Sequence, residues 1–591
     1  HTPGVECTTG PLGQGFSHAV GLAIAERMLA ARFNEASQES EPLINHRTFV
    51  IAGDGCLMEG ITSEASSLAG NLKLNRLIVF YDANNITIDG TIDITFNENV
   101  AQRYLSYGWN VECCDGNDFQ SIATAFEQAH KNSLQPNGTT GPTLLICKTI
   151  AGKGSDKWAG KPKVHGNPMT NEDVLEAKKS LGIEKLEPFW VSDFSLESAK
   201  KLSAICEKKH LKWNASFNVT HEKWKNTKDP KFDLWQNLFH SQELNFEEKS
   251  WLLAKGKQAT RVSSGKALIE LSRYYSGLVG GSADLAGSNL TTLPNSSFIS
   301  STDFSGRNIH FGVREHAMGA IANGITLHGG LRGFCATFAV FSDYMRPSIR
   351  LAALMNLPTL FIFTHDSIGV GEDGPTHQPV EHAAALRCIP HLNVFRPADG
   401  LETFATWHLA LNDLHKPSAF LLTRQDVDDL NELTAQARTH NEVITNIGTY
   451  GAYILKDFNS ITNKKTRAIL IASGSETALA LRSALLLEKE SFTNQQGEKV
   501  ELSFRVISAP SPQVLERSKE ALEDFIPHEN KVIALEAGSQ QSWGRIVGRK
   551  GLIISLDQFG LSAPAHILFE HFGFTVEHII KNILVFYGLK K

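Results

Sequence analysis

Cysteine is scarce and shows no pairing pattern: eight residues in 591, scattered, with no CxxC pair. Cys113 and Cys114 are adjacent, which does not suit an ordinary disulfide. A disulfide framework is therefore not expected, and a reduced cytoplasm is the simplest location. Long apolar runs are missing too. The longest, LAALMNLPTLFIF at 351–363, is too short to cross a bilayer and contains Pro358. No signal peptide is visible. Nor is there an excess of positive charge: the net charge is −6. That excludes a global basic field for nucleic acid or an anionic membrane, so an anionic ligand must be held by local Arg and His. There is no tandem repeat and no low-complexity tract. The chain starts at His1 without an initiator methionine, and an N-terminal piece is expected ahead of it.

What is present is a soluble globular composition, 42% hydrophobic and 20% charged, on a chain too long for one core. At about 100–200 residues per domain, three domains are the working count. Short β-rich runs alternate with helical periodicity, which predicts parallel α/β sheets. The first set is TFVIAGDG (48–55), RLIVFYDAN (76–84) and PTLLICKT (142–149). A second is GLVGGSADL (277–285), NIHFGVRE (308–315), GFCATF (333–338), PTLFIFTHD (358–366), LNVFRPAD (392–399) and SAFLLTRQ (418–425). A third is RAILIASGS (467–475), SFRVISAPS (503–511), KVIALEAG (531–538) and GLIISLDQFG (551–560). Between 205 and 255 the pattern breaks into a charged, aromatic stretch, read as a long surface connection with some helix.

Ligands of open parallel sheets bind at the carboxyl ends of strands, here Gly53–Gly55 and Tyr81–Asn85. Asp54 and Asn84 offer hard oxygens suited to Mg²⁺, and the glycines let a diphosphate approach the backbone. A pair of plain turns is the alternative. THDSIGVGEDGPTHQPVEH (364–382) gathers His365, Asp373, His377 and His382 in a Gly-rich loop. Neutral histidines in a pocket suit hydrogen bonds to sugar hydroxyls and proton transfer; a metal site is conceivable, though the spacing resembles no usual zinc pattern, and the other alternative is a solvated loop. Arg261, Ser288 and Arg424, with His365, could hold an anion, provided that the fold brings them together. Phe338, Phe341 and Tyr344 recur every three residues, either as core or as a platform for an aromatic ring. Glu315 stands where a strand gives way to a helix. It could complement the helix dipole, pair with Arg314, or be a buried acid that moves a proton.

Taken in order, these motifs resemble the transketolase family: GVECTTGPLGQG, GDGCLMEG, YDANNITIDG, GGSADLAGSNLT, HFGVREHAMGAIANGI, THDSIGVGEDGPTHQPVEH, ASGSE and FGLSAPA. The resemblance spans essentially the whole chain. It implies three consecutive α/β domains with mainly parallel sheets: two copies of the thiamine diphosphate-binding fold and a C-terminal α/β domain. These would be a pyrophosphate-binding domain over 1–220, a linker over 221–255, a pyrimidine-binding domain over 256–435 and a C-terminal domain over 436–591. It implies transfer of a two-carbon ketol unit between sugar phosphates, in a homodimer with active sites at the subunit interface. The cofactors implied are thiamine diphosphate and Mg²⁺, with Ca²⁺ or another divalent ion able to replace the metal.

Roles follow residue by residue. Asp54, Asn84 and the main-chain oxygen of Ile86 match the metal ligands. Gly10, Pro11, Leu12, Gly55 and Asn84 match cofactor contacts, and His165 a contact to cofactor and substrate. Phe341 matches the ring stacked on the aminopyrimidine, with Phe338 and Tyr344 lining that pocket. Arg261, Ser288, His365 and Arg424 match groups holding the substrate phosphate. Asp373 matches the acid that reads a substrate hydroxyl, and His377 a histidine that handles protons near the reacting carbonyl. Glu315 matches the catalytic glutamate, which shares a proton with the aminopyrimidine ring.

The resemblance also implies an upstream segment with GHPG, NGH and GHPE histidines, which lies outside this sequence. Gly287 stands where the family often has proline. Two other readings stay open: a related ketol-transferring enzyme, such as a dihydroxyacetone or deoxyxylulose-phosphate synthase, and a truncated paralogue that binds without turnover.

Overall fold

The computed structural model describes residues 2–35, 42–183, 185–240, 243–434, 437–458 and 466–590. The chain divides into two units. One is His1–His240 with Ser297–Arg307 and Leu327–Leu331; the other is Ser241–Ser296, Asn308–Thr326 and Arg332–Lys591.

In the first unit, β1 (Thr48–Gly53), β2 (Leu77–Ala83), β3 (Asn110–Asp115) and β4 (Thr143–Lys148) form a parallel sheet in the order β1-β2-β4-β3. The sequence did not point to β3. NVECCD carries two acids, and only Cys114 of the six is buried, so an edge strand left no apolar run. The stretch 205–255 also differs from expectation. Most of it is helix: Asp193–Thr227 runs for 35 residues, followed by Pro230–Phe239 and a 3₁₀ segment, Glu248–Ala254. Ser192 caps the long helix by accepting from Ser195 N. Its Lys, Ala, Glu and Leu favour helix, but only Trp224 is buried, so no apolar face announces the period. Trp224 and Trp235 pack around Phe33, with ring centroids 5.8 and 5.0 Å from it.

The second unit holds two sheets. β5 (Leu278–Ser282), β6 (Asn308–His310), β7 (Arg332–Phe338), β8 (Leu360–Thr364), β9 (Asn393–Phe395) and β10 (Ser418–Leu422) are all parallel, ordered β6-β5-β7-β8-β10-β9. Every residue of β5, β7, β8 and β10 is buried, which is why these strands read as continuous apolar runs. The last sheet contains β11 (Tyr453–Lys456), β12 (Thr466–Ala472), β13 (Ser491–Thr493), β14 (Lys499–Ser508), β15 (Lys531–Leu535) and β16 (Leu552–Ile554), along the path β11-β14-β12-β15-β16. β11 and β13, both short, pair antiparallel with β14. One apolar core runs through both sheets, joining Phe334, Ile362 and Phe420 to Leu470, Phe504 and Ile533. Among the described residues, no helix is long and apolar enough to cross a membrane.

Candidate active site

In the first unit, Asp54 follows the last residue of β1 and Asn84 the last of β2, on neighbouring strands. Asp54 is 2% exposed. Its Oδ1 accepts from the Tyr81 hydroxyl at 2.5 Å and its Oδ2 from Asn85 N at 3.0 Å, so the loop after β2 is drawn onto it. Burial pushes the carboxyl above its usual range, against the pull of those two donors. Asn84 is turned by its own neighbours: its amide donates to Asp82 Oδ2 at 3.1 Å, and its Oδ1 accepts from Ile86 N at 3.0 Å. Asp54 is a buried hard-oxygen carboxylate whose charge a divalent cation would relieve, and Asn84 follows the neighbouring strand, so the Asp54 carboxylate suits Mg²⁺.

The glycine loop reaches the same place. A Cβ on Gly55 would stand 2.9 Å from Leu12 Cδ1, which puts GPLG against GDG. Gly10 has φ +76°, and a Cβ there or on Gly53 would meet open space, so bare backbone faces outward for a diphosphate. Pro11 and Leu12 are exposed. A cavity of about 470 Å³ opens at the carboxyl ends of β2, β3 and β4, lined by Tyr81, Ala83, Asn85, Lys148 and Thr149 among others. His165 is exposed at the end of the 3₁₀ turn Pro162–His165. Among the described residues, no hydrogen bond ties it to Asp54 or Asn84.

The second unit brings together residues far apart in sequence. Phe338 ends β7, and the chain continues into a 3₁₀ turn, Ala339–Asp343. In a 3₁₀ turn residues i and i+3 eclipse, so the spacing puts the rings in a row. Phe338 lies 6.1 Å from Phe341 and Phe341 6.0 Å from Tyr344, between centroids. Phe338 also stacks on His365 at 3.7 Å, and His377 stands edge-on to Phe341 at 5.5 Å. Phe338 is buried, Phe341 half-buried and Tyr344 65% exposed.

His365 follows β8 in the left-handed region, at φ +64°. The Thr364 hydroxyl donates to Asn289 Oδ1 at 2.7 Å, so it accepts from His365 Nδ1, also at 2.7 Å. That assigns the proton to Nδ1 and leaves Nε2 as the acceptor. Burial, then the charges of Arg261, Arg424 and His377, push His365 down to about 3. It is neutral near pH 7, and the two arginines supply the positive field. Arg261 donates to the Ser288 carbonyl at 2.7 Å, and both burial and Arg424 hold its own value down. The condition set by the sequence is met: Arg261, Ser288, Arg424 and His365 do share a region. Asp373 and Arg424 are exposed. His377 Nδ1 is engaged by the Thr376 hydroxyl at 2.9 Å.

Glu315 is the first residue of the helix Glu315–His328. Burial raises its carboxyl above the usual range, opposed by its own N–H and by the Thr337 hydroxyl, which lies against it on β7 out of hydrogen-bond alignment. Arg314 turns back to the Phe311 carbonyl at 2.9 Å. Glu315 thus stands at a helix start as a half-buried acid.

Sequence reasoning missed the groups behind these residues. Asn289, at the end of the short helix Ala286–Asn289, and Thr337, on β7, are buried polar side chains to which the sequence assigned no role. Asp366, next to His365, accepts from Arg396 Nε at 2.8 Å, and Arg396 Nη1 reaches Glu476 at 2.5 Å. ASGSE thus contributes Glu476 to a buried ion network. FGLSAPA braces the histidine loop: Ser562 Oγ donates to the Glu372 carbonyl at 2.6 Å. A fully buried charge beside a site histidine was the available signal for Asp366.

Comparison with known proteins agrees. Family models match in chain order: "Transketolase, thiamine diphosphate binding domain" over residues 1–234, "Transketolase, pyrimidine binding domain" over 256–429, and "Transketolase-like TK C-terminal domain" over 451–575. The chain is 42% identical to a transketolase of Bacillus subtilis (strain 168) over 590 residues, 99% of this chain and 83% of that protein. It is also 42% identical to one of Geobacillus stearothermophilus, over all of this chain and 84% of that protein. Among solved structures, transketolase from Leishmania mexicana superposes with TM-score 0.85 at 35% identity, covering 98% of this chain and 81% of that one. Transketolase from Campylobacter jejuni gives 0.84 at 36%, covering 99% and 83%. Three parallel-dominant α/β domains, two of them matching cofactor-binding family models, and relatives of this identity over nearly the whole chain make it a member of the transketolase family, an enzyme that transfers ketol groups with thiamine diphosphate.

Proposed function

We propose that this chain moves a glycolaldehyde unit from a ketose phosphate such as xylulose 5-phosphate to an aldose phosphate such as ribose 5-phosphate, as a step of the pentose phosphate pathway in the cytoplasm. The observation that carries the reading is the convergence of Phe338, Phe341, His365 and His377 with Arg261 and Arg424. A ring platform, two histidines and a pair of arginines suit a cofactor heterocycle, sugar hydroxyls and a phosphate at one place.

Asp54, Asn84 and the Ile86 carbonyl would hold Mg²⁺, or Ca²⁺ in its place, and with it the diphosphate over Gly10, Pro11, Leu12 and Gly55. When bound, thiamine diphosphate supplies the nucleophilic carbon and the electron sink for carbon–carbon cleavage. The protein's own residues position and move protons. Glu315, its carboxyl raised by burial, keeps a proton for the aminopyrimidine ring nitrogen. Phe341 stacks the ring, with Phe338 and Tyr344 beside it. Arg261 and Arg424 anchor the phosphate, with the Ser288 hydroxyl and His365 Nε2 as further contacts. Asp373 reads a hydroxyl, His377 handles the proton at the reacting carbonyl, and His165 contacts cofactor and substrate. The active unit is a homodimer, each site taking the Asp54 side from one subunit and the Glu315 side from its partner. The domain divisions at 1–220, 221–255, 256–435 and 436–591 belong to the same proposal.

The test supplies the chain with Mg²⁺ and thiamine diphosphate, xylulose 5-phosphate as donor and ribose 5-phosphate as acceptor. A seven-carbon ketose phosphate should form. Turnover of formaldehyde or pyruvate in place of that pair would assign the chain to a related synthase. Cofactor binding without any turnover would favour the binding-only reading.

A further inference from the structure

Asp343, Glu381 and His382 stand apart from the residues given roles above. Asp343 closes the aromatic turn between Phe341 and Tyr344, while Glu381 and His382 open the helix His382–Arg387. One donor atom from each lies within 4.8 Å of the other two. Two exposed acids would carry no weight alone. His382 is what points to a ligand: it is 5% exposed, and among the described residues neither ring nitrogen has a hydrogen-bond partner. Native proteins seldom bury an imidazole that way without a use for it. Its Nε2 lies 3.2 Å from Asp343 Oδ2, out of hydrogen-bond alignment, and its Nδ1 lies 3.8 Å from Glu381 Oε2. Two donors each about 2.0–2.1 Å from one tetrahedral ion stand about 3.3 Å apart, which is the Nε2 to Oδ2 separation. The elements are already fastened nearby: Arg346 Nη2, just after the turn, donates to the Ala385 carbonyl at 3.1 Å.

We propose that Asp343, Glu381 and His382 form a second divalent-cation site, of the zinc class and separate from the oxygen set at Asp54. His382 and Asp343 supply the closest pair of donors, Glu381 the third, and water completes the shell. One imidazole nitrogen with carboxylate oxygens suits Zn²⁺ better than Mg²⁺ or Ca²⁺, which take all-oxygen sets. The ion would pin the turn carrying Phe341 to the helix behind it.

The test uses the full chain, stripped by a chelator and titrated with Zn²⁺ alone, then with Co²⁺ as a coloured stand-in. Wild type is compared with His382→Gln and Asp343→Asn. Surface histidines add weak sites, so the difference between chains is read. Wild type should hold one more tight equivalent of Zn²⁺ than either variant, and its Co²⁺ absorption band should be lost in both. Equal stoichiometry and affinity in all three, or tighter Mg²⁺ than Zn²⁺ binding at the site, would overturn the proposal. Asp343 is exposed, so Asp343→Asn carries the test if circular dichroism shows His382→Gln to be misfolded.

Discussion

The side-chain amide of Gln378 donates to the main-chain carbonyl of Leu561 at 2.9 Å, and also to that of Gly371 at 2.9 Å. One glutamine thus ties the loop of Asp373 and His377 to the C-terminal domain. Gln378→Ala leaves two carbonyls without this donor, at about 1–3 kcal/mol for a buried group. Amide hydrogen exchange across 371–378 should quicken, and exchange in β12 and β14 should stay as it was. Unchanged exchange in the loop would remove the brace.

Glu315→Gln removes an ionisable group while keeping its shape. Turnover should fall by about 10²–10⁴-fold, the scale of general acid–base catalysis. Thiamine diphosphate affinity, which the proposed function assigns to the Asp54 side, should stay within about tenfold. Near-normal turnover would take Glu315 out of the chemistry.

On the function proposed above, Arg424→Ala would take away a phosphate anchor that acts before the chemical step. KM for phosphorylated sugars should rise by about 10–100-fold, the equivalent of one charge-assisted contact, with kcat little changed. An unphosphorylated ketose should be turned over as before. An unchanged KM for the phosphorylated substrate would exclude the role.

His365 is held down to about 3 in the folded chain, mostly by burial, whereas an unfolded histidine titrates near about 6.5. Below about 6.5 the unfolded chain takes up a proton that the folded chain refuses, so stability falls as pH drops through that window and is fully present above it. Thermal melts between pH 7 and pH 4 should show Tm falling with acid, and His365→Gln should flatten that slope. An identical slope would mean that His365 is protonated far more easily than its surroundings imply.

Mixing tests the subunit arrangement. Asp54→Ala and Glu315→Gln chains should each be inactive alone. Unfolded together and refolded, mixed dimers should regain part of the wild-type rate, because one of their two sites holds neither defect. Dimers without any recovery would place both groups in the same subunit's site.

The strand ends carrying Asp54, Asn84, His365 and Arg424 were legible in the sequence. Buried parallel strands are continuous apolar runs, and polar residues just past them face a ligand. β3 was not legible, because an edge strand with two acids breaks the run, and neither was the exposed helix Asp193–Thr227. Glu315, His377 and Asp373 were readable chiefly through the family resemblance, since each alone fits a surface or a cap. The contacts of Asn289, Thr337 and Gln378 join segments far apart in sequence, which local pattern does not encode.

The seam between Gln378 and Leu561 bears on inheritance. Gly560 leaves no room there: a Cβ would fall 1.7 Å from Gln378 Oε1. A chimaera joined between residues 435 and 451 from two parents could build every sheet and still seat the histidine loop badly. Natural variants of the last domain are therefore constrained by how they seat a loop that belongs to another domain.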